Sequence, residues 1–261
     1  MNGQKGILIV SFGTSYTETR AKTLDAIEMA IQNAFPGFFV CHAWTSQRLI
    51  EKAFSTDGTH VSTIPESLDI LLRNDVTELY VLPTFLSDST EYEHAKSIIS
   101  QQQELFQTIT FLESPLKSKD IFMHVVNLLI SNDTNLYDKE SFILILHNPS
   151  PYEVFKTESQ EAFPVESACP KADIHILSLQ ERSLLPSLLH SLKEKGGDTI
   201  HLIPCMLTAG YHVNHDIFGE NEHSFYTLCK KAGFHVVCHQ KGLGEYKEIQ
   251  QMFVKHLLDA L

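Results

Sequence analysis

The chain has 261 residues, with 20 Lys plus Arg against 32 Asp plus Glu and a formal charge of −12 when histidine is neutral. No cluster of Lys and Arg interrupts that acidic balance, which argues against a nucleic-acid backbone, bound through counterion release, and against an anionic membrane surface. With 43 % apolar residues and scattered charge the composition is globular, one large domain or two of about 130 residues each, and the unusual count is 14 histidines.

From the amino end, residues 6–12 (GILIVSF) read as a buried strand, too short an apolar run for a signal peptide. Residues 17–34 follow as a helix, with Leu24, Ile27 and Ile31 on one face, and 38–44 as a second strand. Thr63 and Glu66 form a capping box around Pro65 at the head of a helix through Arg73. Residues 78–83 (ELYVLP) make the third strand, 92–105 a helix, 109–112 a fourth strand and 120–130 a further helix. After a polar turn the order starts again: strands at 142–146 (FILIL) and 173–179, a helix at 186–195 stopped by Gly196 and Gly197, and strands at 199–204 (TIHLIP) and 234–238. Strands alternating with amphipathic helices are the pattern of βαβ units, hence an α/β fold with parallel sheets. No apolar stretch approaches the roughly 20 residues of a membrane span. Cys41, Cys169, Cys205, Cys229 and Cys238 form no CxxC pair and read as buried thiols of a reducing compartment, so a cytoplasmic location is expected.

The two halves can be superposed by subtraction. SFGTSY at 11–16 lies over HNPSPY at 147–152, since 147 minus 11 is 136; from the helix-starting prolines onward 186 minus 65 and 204 minus 83 both give 121. Two half-chains of one topology are expected.

Ligands of parallel α/β sheets bind beyond the carboxyl ends of the strands, so the residues after each strand are read first. Ser11, Phe12, Gly13, Thr14, Ser15 and Tyr16 form a small, hydroxyl-rich loop opening a helix, with backbone N–H groups to offer an anionic group, but without P-loop or GxGxxG spacing. At the offset of 136, His147 takes the strand-end position of Ser11; at 121, His212 takes that of Glu91. Glu181, after the intervening strand, completes an expected set of two nitrogens and one oxygen, which suits a divalent first-row metal that arrives and leaves. His215 and His223 read as further ligands or, more simply, as solvated loop groups, and Glu91, Glu93 and His94 as a charged helix start able to line a substrate cleft.

VSFGTSY at 10–16, EYE at 91–93, IHLIPCMLTAGYH at 200–212, and GLGE with MFVKHLLDAL at the carboxyl end are together similar to the class II tetrapyrrole chelatases, most closely those that insert Co(II) into sirohydrochlorin on the anaerobic route to cobalamin. The resemblance implies two similar α/β lobes, each a four-stranded parallel sheet flanked by helices, with the tetrapyrrole held in a cleft between them. Residues 1–130 would form the first lobe, 131–244 the second with the metal-site histidines, and 245–261 a last helix packing back on the first. It implies a metal chelatase of the lyase class, with His147 and His212 as catalytic residues and metal ligands. Its carboxylate ligand falls on Gln180, with Glu181 one residue later. Ser11 to Tyr16 and Glu91 would contact the macrocycle, with Arg20 or Lys22 offsetting its negative charge. The expected partners are sirohydrochlorin and a divalent metal, with Co(II) as substrate and no prosthetic group; a homo-oligomer is left open. Where the family has glycines beside the first histidine, this chain has Leu146, Asn148 and Pro149. Iron or nickel insertion, another macrocycle, or a non-catalytic tetrapyrrole or metal carrier on the same fold remain alternatives.

Overall fold

Strand-length apolar runs bounded by turn residues dictate the architecture, and the computed structural model of the chain, which describes residues 3–86, 89–115, 118–131, 140–148 and 173–261, shows them assembled twice. The chain divides into two units, Met1–Lys117 with Gly244–Leu261, and Ser118–Leu243.

In the first unit, β1 (Gln4–Ser11) is followed by α1 (Thr17–Lys22), α2 (Leu24–Ala34), β2 (Phe39–Trp44), α3 (Gln47–Asp57), α4 (Ile64–Arg73), β3 (Val76–Pro83), α5 (Thr90–Ser100) and β4 (Thr108–Phe111). The strands are all parallel, in the order β2-β1-β3-β4. Leu8 and Val10 of the central strand pack with Leu68, Leu71, Val81, Tyr92 and Ile99 in the core. Each such aliphatic side chain contributes about 1.5–3 kcal/mol on leaving water. The helix expected over 17–34 is broken at Thr23, where φ is −121° and ψ −81°. The Thr23 hydroxyl donates back to the Thr19 carbonyl at 2.6 Å, a local bond that competes with the helical ladder. The segment before Pro65 holds α3, which the sequence reading left unassigned although Ser46 caps its start and Gly58, at φ 73°, ends it. The capping box of Thr63 and Glu66 is present at α4 as expected.

In the second unit, α6 (Lys119–Ser131) leads to β5 (Glu140–Leu146) and β6 (Asp173–Ser178), then a 3₁₀ turn over Leu179–Leu184 and α7 (Leu185–Glu194). β7 (Thr199–Cys205), a π turn over Val213–Ile217, α8 (Phe225–Lys231) and β8 (His235–Cys238) complete it, with strand order β6-β5-β7-β8, again all parallel. Ile143, Ile145, Leu185, Leu189, Ile200, Leu202 and Phe225 form its core. This unit opens at Ser118, so α6 belongs to it and not to the first lobe expected over 1–130; α9 (Lys247–Leu258) belongs to the first unit. Burial pushes the thiols of Cys205 and Cys229 up to about 12, in keeping with inert core cysteines. Cys169 lies outside the described residues. Among those residues no helix is long and apolar enough to cross a membrane.

The sheet registers correct one step of the superposition. Gly6 pairs with Leu79 and Ser141 with Ile200. Since 200 minus 79 is 121 and 141 minus 6 is 135, the first strands match at 135 rather than 136. The turn letters align one residue away from the strands themselves. His147 therefore corresponds to Phe12, not Ser11, and because alternate strand residues face opposite sides this single step decides which side chain is buried. The offset of 121 holds beyond the third strands: α5 opens at Thr90 and the turn carrying His212 at Tyr211.

Candidate metal site of the second unit

His147 follows directly on β5, and His212 sits at the head of the π turn that follows β7. Their ring centroids are 4.8 Å apart with the planes at 71°. Metal–nitrogen bonds of about 2.0–2.1 Å put each ring centre roughly 3.2 Å from a shared ion, so the observed 4.8 Å corresponds to an angle at the ion of roughly 100°. The spacing is that of two imidazoles able to take one ion.

Each ring is held at Nδ1. His212 Nδ1 lies 2.6 Å from Asp216 Oδ2, and a carboxylate there requires Nδ1–H, which leaves the lone pair on Nε2. The other oxygen, Oδ1, meets His215 Nδ1 at 3.1 Å and Arg182 Nη2 at 3.7 Å. Burial opposes the charge of Asp216, but hydrogen bonds from His212 and His215, with the Arg182 guanidinium, outweigh it and hold its carboxyl below the usual range. The Tyr211 ring stacks on His215 at 4.9 Å and stands edge-on to His212 at 5.6 Å. His147 Nδ1 lies 3.1 Å from Asn148 Oδ1, an amide oxygen that also accepts from Gln180 Nε2 at 3.4 Å.

Glu181 is placed differently from expectation. Ser178 and Glu181 close a capping box at the 3₁₀ turn. Glu181 Oε2 accepts from the Ser178 backbone N–H and hydroxyl, both at 2.9 Å, while the hydroxyl accepts from the Glu181 N–H at 3.3 Å. The carboxylate expected as third ligand is committed to the turn, and Gln180 is the side chain directed to the histidine side. Among the described residues no group of three or more His, Cys, Asp or Glu is arranged to hold an ion. The structure thus brings together His147 and His212 and does not bring Glu181 to them.

The loop after β1, in the first unit, also departs from its expected role. Ser11 is 3 % exposed, and its hydroxyl accepts from Thr84 at 2.8 Å, so its side chain ties β1 to the segment after β3. Gly13, at φ 101°, lies where an added Cβ would fall 2.5 Å from the Trp44 ring. Thr14 is buried and accepts from the Tyr16 N–H at 3.3 Å, Ser15 is half-buried, and only Phe12 and Tyr16 present exposed rings. Arg20 is buried and paired with Asp57 at 2.8 Å and Asp25 at 3.7 Å, and Lys22 lies 3.7 Å from Glu18. Arg20 is therefore held within the fold by two carboxylates. Glu91 is exposed in the first turn of α5, 3.3 Å from the Thr90 hydroxyl that donates to it.

Asp216 and Arg182 were not singled out in the sequence, although a carboxylate four residues after a candidate histidine, in HVNHD at 212–216, falls on the same helical face.

The family model for cobalt chelatase (CbiK) matches residues 5–261. A sirohydrochlorin cobaltochelatase of Salmonella typhimurium is 26 % identical over 258 residues, covering 99 % of this chain and 97 % of that protein. Among solved structures, SirB from Bacillus subtilis with Fe3+ superposes with a TM-score of 0.68 at 12 % identity, over 98 % of this chain and 95 % of that one. CbiX, described as the terminal enzyme for biosynthesis of siroheme in denitrifying bacteria, gives 0.53 at 14 % identity, over 98 % and 100 %. These two likenesses speak to the fold.

Proposed function

This chain belongs to the cobalt chelatase (CbiK) family and is a metal chelatase acting on a tetrapyrrole, and from that premise we propose that it inserts Co(II) into sirohydrochlorin. The observation that carries the reading is the pair His147 and His212, 4.8 Å apart and each held at Nδ1. Insertion exchanges the two pyrrole N–H protons of the macrocycle for the ion, so that Co2+ and the free macrocycle yield the cobalt complex and two H+. The ion must shed water as the ring nitrogens replace it, and the protons need an acceptor. A neutral imidazole serves both steps, as a ligand that releases at moderate cost and as a base near pH 7. His212, whose Nδ1–H is fixed on Asp216, presents Nε2 as the lone pair for the ion or for a pyrrole proton. His147, held through Asn148, stands beside it as the second imidazole. Among the described residues the two imidazoles have no carboxylate beside them as a third ligand, and neutral ligands favour transit of the ion over storage, because less charge holds it.

Mixed with sirohydrochlorin and Co(II), the purified chain is expected to consume the free-macrocycle absorption over many turnovers. The double variant His147→Ala, His212→Ala is expected to be slower by roughly 10²-fold or more. An unchanged rate and affinity in that variant would remove this site from the reaction. Parallel runs with Ni(II) and Fe(II) rank the metals. A second reading, a carrier on the same fold, draws support from the two-ligand arrangement among the described residues. A carrier stops at one metallated macrocycle per chain.

A further inference from the structure

Both candidate ligands are held by residues of one short segment. The 3₁₀ turn over Leu179–Leu184 begins at Ser178, the last residue of β6, and is closed by the capping box in which Glu181 Oε2 takes the Ser178 N–H and hydroxyl. From that turn Gln180 reaches Asn148 Oδ1 at 3.4 Å, the atom that also faces His147 Nδ1. Arg182, two residues on, reaches Asp216 Oδ1 at 3.7 Å, and Oδ2 of the same carboxylate faces His212 Nδ1 at 2.6 Å. The Arg182 guanidinium is steadied on its other side by the Phe225 ring, 5.6 Å from its centroid, and Phe225 is fully buried.

We propose that this turn is a common bracket for the two imidazoles: Glu181 closes it, Gln180 acts on His147 through Asn148, and Arg182 acts on His212 through Asp216. The inference rests on the reading of the two histidines as the metal-handling pair. Its physical basis is that a ligand's second ring nitrogen fixes tautomer and orientation, and losing the partner of a ligating histidine typically costs 10–100-fold in metal affinity or activity. Glu181, Gln180, Arg182, Asn148 and Asp216 are in this account positioning residues. The Glu181 carboxylate accepts from Ser178, yet its loss is felt by both rings, since it helps close the turn's entry. The two arms differ in charge, with neutral amides behind His147 and an ion pair behind His212, so cutting one arm leaves the other in place.

The test uses the full chain with ¹⁵N-labelled histidine, reading the ring-nitrogen signals of His147 and His212 without metal, together with kcat and KM for Co(II) insertion into sirohydrochlorin. Glu181→Ala is expected to shift both rings away from the Nδ1–H form and to lower kcat by about tenfold, with KM for the macrocycle little changed. Glu181→Gln, which still accepts from Ser178, is expected to restore both. Gln180→Ala is expected to move His147 alone and Arg182→Gln His212 alone. Parent-like rings in Glu181→Ala would overturn the bracket, as would equal loss in Glu181→Ala and Glu181→Gln, the result for a carboxylate bound to the ion. If Glu181→Ala does not fold, the two single-arm variants decide, and parent-like rings in both would overturn the proposal. If His147→Ala and His212→Ala leave turnover intact, it is the metal-pair reading that fails; if they abolish it while the bracket variants do not, only the bracket fails.

Discussion

The two units share a strand order, yet they use their strand ends in opposite ways. In the first, the end of β1 is turned inward: Ser11 is bonded to Thr84, Gly13 lies under the Trp44 ring, and Arg20 is paired with Asp57 and Asp25. In the second, the end of β5 presents His147, exposed, and the segment after β7 presents His212, half-exposed. Equal topology fixes where chemistry can be placed, and the hydrogen-bond partners of each end decide whether it is. A strand-end hydroxyl with a buried partner is a structural bond; a strand-end imidazole exposed beside a second imidazole is placed for a ligand.

Exchanging single residues between these regimes gives the largest contrast. His212→Ala is expected to cut turnover by roughly 10²-fold while leaving the thermal midpoint near that of the parent. Ser11→Ala should do the reverse, keeping turnover and losing about 1 kcal/mol as Thr84 loses its nearer acceptor, measured by urea unfolding. Should Ser11→Ala cost activity without stability, the inward reading of the first unit is wrong. Gly13→Ala is the next largest in stability. A side chain at φ 101° with the Trp44 ring 2.5 Å away is expected to cost more than about 1 kcal/mol, and a variant as stable as the parent would show that the loop relaxes freely.

The smallest effect concerns pH. His42 Nδ1 lies 2.8 Å from Glu28 Oε2, and that hydrogen bond raises the pKa of His42 against the opposing pull of burial. Because the folded value lies above the unfolded one, the pair's stabilisation is complete below about pH 6.5 and is lost as pH rises through the raised value. For a partly exposed pair it amounts to at most about 1 kcal/mol. His42→Gln should remove this pH-dependent loss from the thermal midpoint; an identical profile in parent and variant would assign the dependence elsewhere.

The sheets were legible in the sequence because apolar runs and turn residues are local signals, and the matched prolines at 83 and 204 located equivalent strands. The superposition of SFGTSY on HNPSPY missed by one residue because turn letters are free to drift where strand pairing is not, and so Ser11 was placed opposite His147 in place of Phe12. Glu181 was read as a ligand where the structure engages it in a capping box, for a related reason. Ser178-Leu-Gln-Glu181 carries the same capping pattern as Thr63-Ile-Pro-Glu66, but the second advertises a helix start with its proline while the first lies between a strand and a 3₁₀ turn. A carboxylate three residues after a serine is a capping candidate before it is a ligand. Asp216 was legible as the residue one turn beyond His212 once a partner for that ring was sought.

A crystal structure of the protein soaked with Co(II) tests the central claim most directly. The ion is expected on ring nitrogens of His147 and His212, with Glu181 still accepting from Ser178; a Glu181 carboxylate oxygen bound to the ion would overturn the two-imidazole site.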